Sequence, residues 1–160
     1  MKHYIFSGKL IQENVDALLK ELTSNDDKYL IYIDTAGGLN TIKDYLLYYL
    51  NLTPERFTLI AGNEITSNGF WLFYYFKGKR IISDSTISMI HQSWKEVPSY
   101  DLKDKESTGY KDLQKLQNIN DKNLEILKPY FNKKEIKDFK RGYDVYLNSD
   151  RLKQIFNIEK

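Results

Sequence analysis

The chain contains no cysteine. That absence rules out disulfides, thiol nucleophiles and cysteine-ligated zinc together, and it suits a reducing compartment, so the expected location is the cytoplasm. Histidine is nearly missing too: only His3 and His91 occur, too few for a His-rich metal centre. Charge of one sign is not in excess. The net charge is +2 with the lysines and arginines dispersed, which gives no electrostatic case for nucleic acid as the partner. Long hydrophobic runs are lacking: the longest, Phe70–Phe76, is far too short to span a bilayer, so no membrane is expected. The first residues, Met1-Lys2-His3-Tyr4-Ile5-Phe6-Ser7-Gly8, hold none of the apolar core of about 7–15 residues that marks a secretory signal.

What remains is ordinary globular material. A chain of 160 residues, 41% hydrophobic and 29% charged, is long enough for one domain with a real core. Tyrosine is the oddity, with 13 copies alongside abundant Lys, Asn and Ile. An AT-rich genome and sticky subunit surfaces are both sufficient explanations. Tyr45, Tyr48, Tyr49, Tyr74 and Tyr75 are expected in the core or at subunit contacts.

Hydrophobic periodicity divides the chain. Tyr4–Phe6 is a short β-rich run, and Val15, Leu18, Leu19 and Leu22 define a helix over Gln12–Leu22. Tyr29–Ile33 has the unbroken apolar pattern of a strand buried on both faces. It stops at Asp34-Thr35-Ala36-Gly37-Gly38, and a helix over Ile42–Leu50 follows with Ile42, Tyr45, Leu46 and Tyr49 on one face. The unit then repeats: strand Phe57–Ala61, polar turn Gly62–Asn68, buried helix Gly69–Phe76. Arg80–Ile82 and Thr86–Ile90 read as two more strands. Residues Lys95–Glu106 are irregular. Asp112–Leu127 reads as a helix with Leu113, Leu116, Ile119, Asn123, Leu124 and Leu127 on one face, and Pro129 ends it. Lys133–Lys140 and Ser149–Phe156 are the last two helices, the second opened by Asn148-Ser149-Asp150. Strand–turn–helix units in series predict an α/β fold with a largely parallel sheet.

Three features lie at the carboxyl ends of the predicted strands, where α/β enzymes keep their sites. Gly37-Gly38 opens a helix, and paired glycines let backbone N–H groups point at a ligand; a plain tight turn is the alternative. Ser67, in Thr66-Ser67-Asn68-Gly69, has the setting of a nucleophile elbow, or else of a helix N-cap. Thr66 fits either role equally well. His91 ends an apolar strand, and an unperturbed pKa of about 6.5 makes histidine a natural base for a hydroxyl. A hydrogen-bonded structural histidine is its alternative.

Taken together, these segments resemble the Clp protease proteolytic subunit family, ClpP. Tyr29–Gly38 is similar to that family's strand ending in an Asn-Ser-Pro-Gly-Gly turn, and Phe57–Leu72 to its nucleophile segment. Lys77-Gly78-Lys79-Arg80 matches its Lys-Gly-Lys-Arg turn, and Ser88-Met89-Ile90-His91-Gln92 looks like its Met-Ile-His-Gln strand. Tyr143–Ser149 is similar to the segment carrying the family's triad aspartate. The likeness covers nearly the whole chain. It implies a ClpP/crotonase-like spiral of β-β-α units with a projecting handle helix, in a single domain with its head at 1–93 and 141–160 and its handle region at 94–140.

The resemblance also implies roles. Ser67 would be the nucleophile, His91 the general base and Asp144 the orienting carboxylate, with Asp138 and Asp150 as competitors for the third place. The backbone amides of Gly38 and Asn68 would form the oxyanion hole, and neither metal nor organic cofactor is needed. The substrate would be unfolded polypeptide or short peptides, cleaved in a homo-oligomeric ring, a heptamer or stacked heptamers, with a Clp-type ATPase as the family's partner. Several departures stand beside this. Gly62–Ser67 holds one residue more than the family's spacing and includes Glu64; Asp34 replaces an asparagine and Ala36 a proline. The family's N-terminal axial loops have no counterpart, and Ser93–Lys105 contains no glycine where the family has a glycine-rich handle strand. These differences weigh against ATPase docking and double-ring assembly. Alternative readings are a phage-type head-maturation peptidase of the same fold, or a catalytically inactive subunit of a ClpP-like assembly. A crotonase-type acyl-CoA enzyme gives no reason for Ser, His and Asp at these places.

Overall fold

Strand β2 (Tyr29–Thr35) buries every second residue, Tyr29, Ile31, Ile33 and Thr35, and half-buries the residues between them. One face is thus fully buried and the other half-covered, short of the burial on both faces that its unbroken apolar run predicts, while both edges are paired. It pairs in parallel with β1 (Lys2–Ser7) on one side and β3 (Phe57–Ile65) on the other. The computed structural model in which this is seen describes residues 1–158 and divides into two units, Met1–Ile90 with the chain from Tyr146 onward, and His91–Val145.

In the first unit, β3 changes partner along its length. Thr58–Ala61 pair in parallel with β4 (Lys79–Ile82), and Glu64 pairs with Ile87 of β5 (Ile87–Ile90). The sheet order is β1-β2-β3-β5-β6, with β4 attached to β3 and β6 being Val145–Asn148. Parallel neighbours require crossovers. Helices α1 (Gln12–Thr23), α2 (Asn40–Leu52) and α3 (Asn68–Tyr75) supply the first three. The class is α/β, as the alternation of elements predicts.

Most elements lie where periodicity puts them. Val15, Leu18, Leu19 and Leu22 of α1 are all buried. Helix α2 differs in detail: its buried stripe is Ile42, Lys43, Leu46 and Leu50, whereas Tyr45 is 46% and Tyr48 68% exposed. The i, i+4, i+8 aliphatic row faces the sheet, and the tyrosine row lies around the helix from it. Lys43 stays buried by laying its stem along the surface, its ammonium 2.6 Å from the Asp44 carboxylate and 5.6 Å from the Tyr75 ring centre. Strand β3 also runs on to Ile65, through most of the expected Gly62–Asn68 turn.

Helix α3 is apolar on nearly every side, so Phe70, Trp71, Leu72 and Phe73 are all buried. Phe70 and Phe73 stack near Phe156, at 5.2 and 6.3 Å between ring centres. Phe156 is the C-cap of α6 (Ser149–Ile155), whose N-cap Asn148 accepts from the Arg151 N–H. The Arg80 guanidinium ties the two helix ends together, donating to the carbonyls of Phe73 and Phe156 at 3.0 Å each.

In the second unit, α4 (Thr108–Leu127) starts a turn earlier than its apolar periodicity suggests. Ser107 is the reason: its hydroxyl accepts from the Tyr110 N–H and caps the helix. Leu124 and Leu127 are buried, but Ile119 is 37% exposed and the neighbouring Asn120 takes its expected place inside, at 5%. Helix α5 (Lys133–Lys140) begins with a reciprocal capping box between Asn132 and Glu135. No helix among the described residues is long and apolar enough to cross a membrane.

Candidate active site

The end of β3 passes through Thr66 and Ser67 directly into α3. Ser67 takes φ 51° and ψ −120°, and the only other non-glycine residue with positive φ among the described residues is Asn157. For a residue with a Cβ this conformation costs on the order of 1–3 kcal/mol, and it persists only where neighbours over-determine it. The neighbours are identifiable. The Ser67 N–H donates to the Met89 carbonyl of β5 at 2.7 Å, and the Thr66 N–H to the Thr35 carbonyl of β2 at 2.9 Å. Ser67 sits at the N-cap position of α3 but its hydroxyl caps nothing. Thr66 is buried at 6%, while Ser67 is half-buried and holds the strained position.

Glycines allow this packing. A Cβ on Gly69 would lie 2.6 Å from Thr35 Cγ2, and one on Gly37 would lie 2.8 Å from both Ser67 Cβ and the Thr66 carbonyl oxygen. The strain has a measurable consequence. Ser67→Gly is expected to raise stability by about 1 kcal/mol, the released strain exceeding glycine's entropic cost, or about 2–4 °C in Tm. An ordinary capping serine would lose a few tenths of a kcal/mol instead. Urea denaturation of the two proteins separates these outcomes.

The Gly37-Gly38 turn lies against this elbow. Gly37 has φ 92°, and its N–H donates to Thr35 Oγ1 at 3.1 Å. The Gly37 carbonyl accepts from Leu10 N–H at 2.8 Å, and the Gly38 carbonyl accepts from Asn68 Nδ2 at 2.6 Å. A Cβ on Gly38 would overlap the Leu10 backbone. The Gly38 N–H has no acceptor among the described residues. The Asn68 N–H opens α3, where a helix leaves its first donors unpaired. Two free backbone donors thus belong to the paired segments that surround Ser67.

The pairing of β2 and β3 is irregular just upstream of this turn. β2 and β3 pair Ile33 with Ala61 and then Thr35 with Ile65, so Asp34 faces Gly62, Asn63 and Glu64 across a bulge. Asp34 Oδ1 accepts the Glu64 N–H at 2.9 Å, which gives the carboxylate a structural task. The bulge returns the chain to register at Ile65, one residue before Thr66.

His91 follows β5 directly and is half-buried. Its Nδ1 lies 2.7 Å from the Gln92 carbonyl oxygen. Asp144, in the same unit, is exposed and makes no hydrogen bond or ion pair with any described residue, His91 included. Asp138 is engaged by Lys134 at 2.7 Å, and Asp150 is exposed in the first turn of α6. Sequence reasoning missed Asn120, whose side chain holds the Ser93 backbone from both sides: Ser93 N–H to Oδ1 at 2.8 Å, and Nδ2 to the Ser93 carbonyl at 3.0 Å. Its one signal was a polar residue three before Asn123 on the inward face of α4. Among the described residues no group of three or more His, Asp or Glu side chains comes within metal-binding reach.

Fold and turn define an α/β protein with a strained serine between a parallel strand and a helix. No protein-family model matches the chain, and no curated protein does.

Proposed function

We propose that this protein is a serine endopeptidase of the Clp type, cleaving unfolded polypeptides or short peptides, with a ClpP/crotonase-like spiral fold. The observation that carries the reading is the Ser67 backbone. A serine held at φ 51° on a strand-to-helix turn, its hydroxyl unused for capping, has the mechanics of a nucleophile elbow. Nothing in the stability of α3 requires that strain.

In the proposed reaction Ser67 Oγ attacks the scissile carbonyl carbon while His91 Nε2 takes its proton. The oxyanion is held by the N–H groups of Gly38 and Asn68, each worth about 10²–10³ in rate when such a donor is lost. Collapse breaks the C–N bond, His91 returns the proton to the leaving amine, and an acyl ester remains on Ser67. Water then attacks the ester with His91 again as base, releasing the acid. Assembly into a homo-oligomeric ring belongs to the same proposal, and the exposed Tyr45, Tyr48 and Leu52 of α2 offer it apolar surface.

One observation favours a second reading, a catalytically silent subunit: Asp144 is exposed and unbonded to His91. Turnover of an internally quenched unfolded polypeptide by the purified protein separates the two. Cleavage that a fluorophosphonate stops supports the peptidase. Intact polypeptide after prolonged incubation with micromolar protein supports the silent subunit.

A further inference from the structure

Neutral imidazole has one donor nitrogen and one acceptor nitrogen, and a general base must present the acceptor to the hydroxyl it deprotonates. A carbonyl oxygen only accepts. The contact of His91 Nδ1 with the Gln92 carbonyl at 2.7 Å therefore places the proton on Nδ1 and leaves Nε2 as the acceptor. The carbonyl does for the ring what the aspartate of a triad does: it selects the tautomer and fixes the ring's rotation.

That carbonyl is itself held. The Gln92 C=O and the Ser93 N–H belong to one planar peptide, so orienting either orients both. Asn120 grips that N–H at 2.8 Å through Oδ1 and grips the Ser93 carbonyl at 3.0 Å through Nδ2. Its carboxamide substitutes for a neighbouring strand. Asn120 is 5% exposed and sits on α4, so the clamp is shielded from competing water. Withdrawal of the peptide N–H toward Oδ1 also makes the Gln92 oxygen a better acceptor, because bonds in such a chain polarise one another.

We infer that Asn120 is a positioning residue which, through the Gln92–Ser93 peptide, holds His91 as the Nδ1–H tautomer, so that a backbone carbonyl fills the place of a triad carboxylate. The catalytic meaning of this rests on His91 being the base of the proposed peptidase. The tautomer itself can be read without any turnover.

The experiment is long-range ¹H–¹⁵N correlation on ¹⁵N-labelled protein at a pH above the imidazole titration, with His3→Gln to assign the two rings. Wild type is expected to show a protonated Nδ1 and an unprotonated Nε2 for His91, opposite to the preference of free histidine in water. Asn120→Leu should shift His91 toward the Nε2–H form and lower kcat about tenfold or more with little change in KM, as loss of general-base alignment does. Asn120→Asp, which keeps an acceptor for the Ser93 N–H, should restore the wild-type tautomer. If Asn120→Leu does not fold, an ester in place of the Ser93 amide deletes the same bond. The inference is overturned by a wild-type His91 in the Nε2–H form, by a spectrum indifferent to Asn120→Leu, or by a tautomer that changes with Asp144→Asn instead. An Nδ1–H ring in a protein that cleaves nothing would leave the clamp standing and remove the peptidase.

Discussion

Ser67→Ala is expected to lower peptide hydrolysis by on the order of 10⁴-fold or more, to a residue sustained by substrate binding and oxyanion donors alone. The prediction follows from what the hydroxyl lacks as much as from where it is. It caps no helix and accepts no backbone N–H, so removing it takes away no stabilising contact. Alanine tolerates φ 51° no better and no worse than serine, and the fold of the elbow should survive. A fluorogenic peptide assay with circular dichroism on the same samples checks it. Activity within tenfold of wild type would assign the chemistry to another group, Thr66 being the nearest hydroxyl along the chain.

Gly37→Ala carries the second large effect. The new Cβ would arrive 2.8 Å from Ser67 Cβ, 2.8 Å from the Thr66 oxygen and 3.0 Å from Asn68 N, in a backbone with φ 92°. Two of those three atoms are backbone and cannot rotate away. Overpacking costs about 1–3 kcal/mol, and the left-handed conformation adds about 1–2 kcal/mol for an L-residue. A loss of about 3 kcal/mol is expected, or about 6–12 °C in Tm. A glycine turning freely in solvent would lose far less. Thermal and urea denaturation should agree, and hydrolysis should fall further than stability alone explains, because the same displacement moves the Gly38 and Asn68 donors.

The α/β class was legible because each interior strand is a compact apolar run ended by polar turn residues, as in Tyr29–Ile33 and Phe57–Ala61. The N-terminus of α6 was legible because Asn148 is a side chain with one evident use there. Other features are set by tertiary packing that residue type does not encode. Apolar periodicity alone cannot distinguish an exposed tyrosine from the aliphatic row beside it, which is why Tyr45 reads as part of the buried face of α2 although it is exposed, while Tyr49 is half-buried against Phe57. The bulge opposite Asp34 has the composition of a turn, and Gly62, Asn63 and Glu64 are skipped by the β2 register, yet the strand continues through them to Ile65.

The elbow was legible as a place and not as a geometry. Residue type alone would assign a positive φ near there to Asn68 or Gly69, which tolerate it, and the strain falls on Ser67 instead. Hydrogen bonds from Thr66 and Ser67 to two different strands impose it, and those partners are 31 and 22 residues away in the chain. Asn120 was illegible for a related reason. A polar residue within a helix reads as solvent-facing, and only the backbone it grips, at Ser93, gives it a cause to be buried.

The most direct measurement is the site of covalent capture. Protein treated with a fluorophosphonate and digested with trypsin yields one peptide, Phe57–Lys77, that contains Thr58, Thr66 and Ser67 together. Fragment-ion sequencing should place the adduct on Ser67, with His91→Ala protein left unlabelled. Modification of Thr66, of a serine elsewhere in the chain, or of nothing at all would contradict the assignment of this strained turn to nucleophilic chemistry.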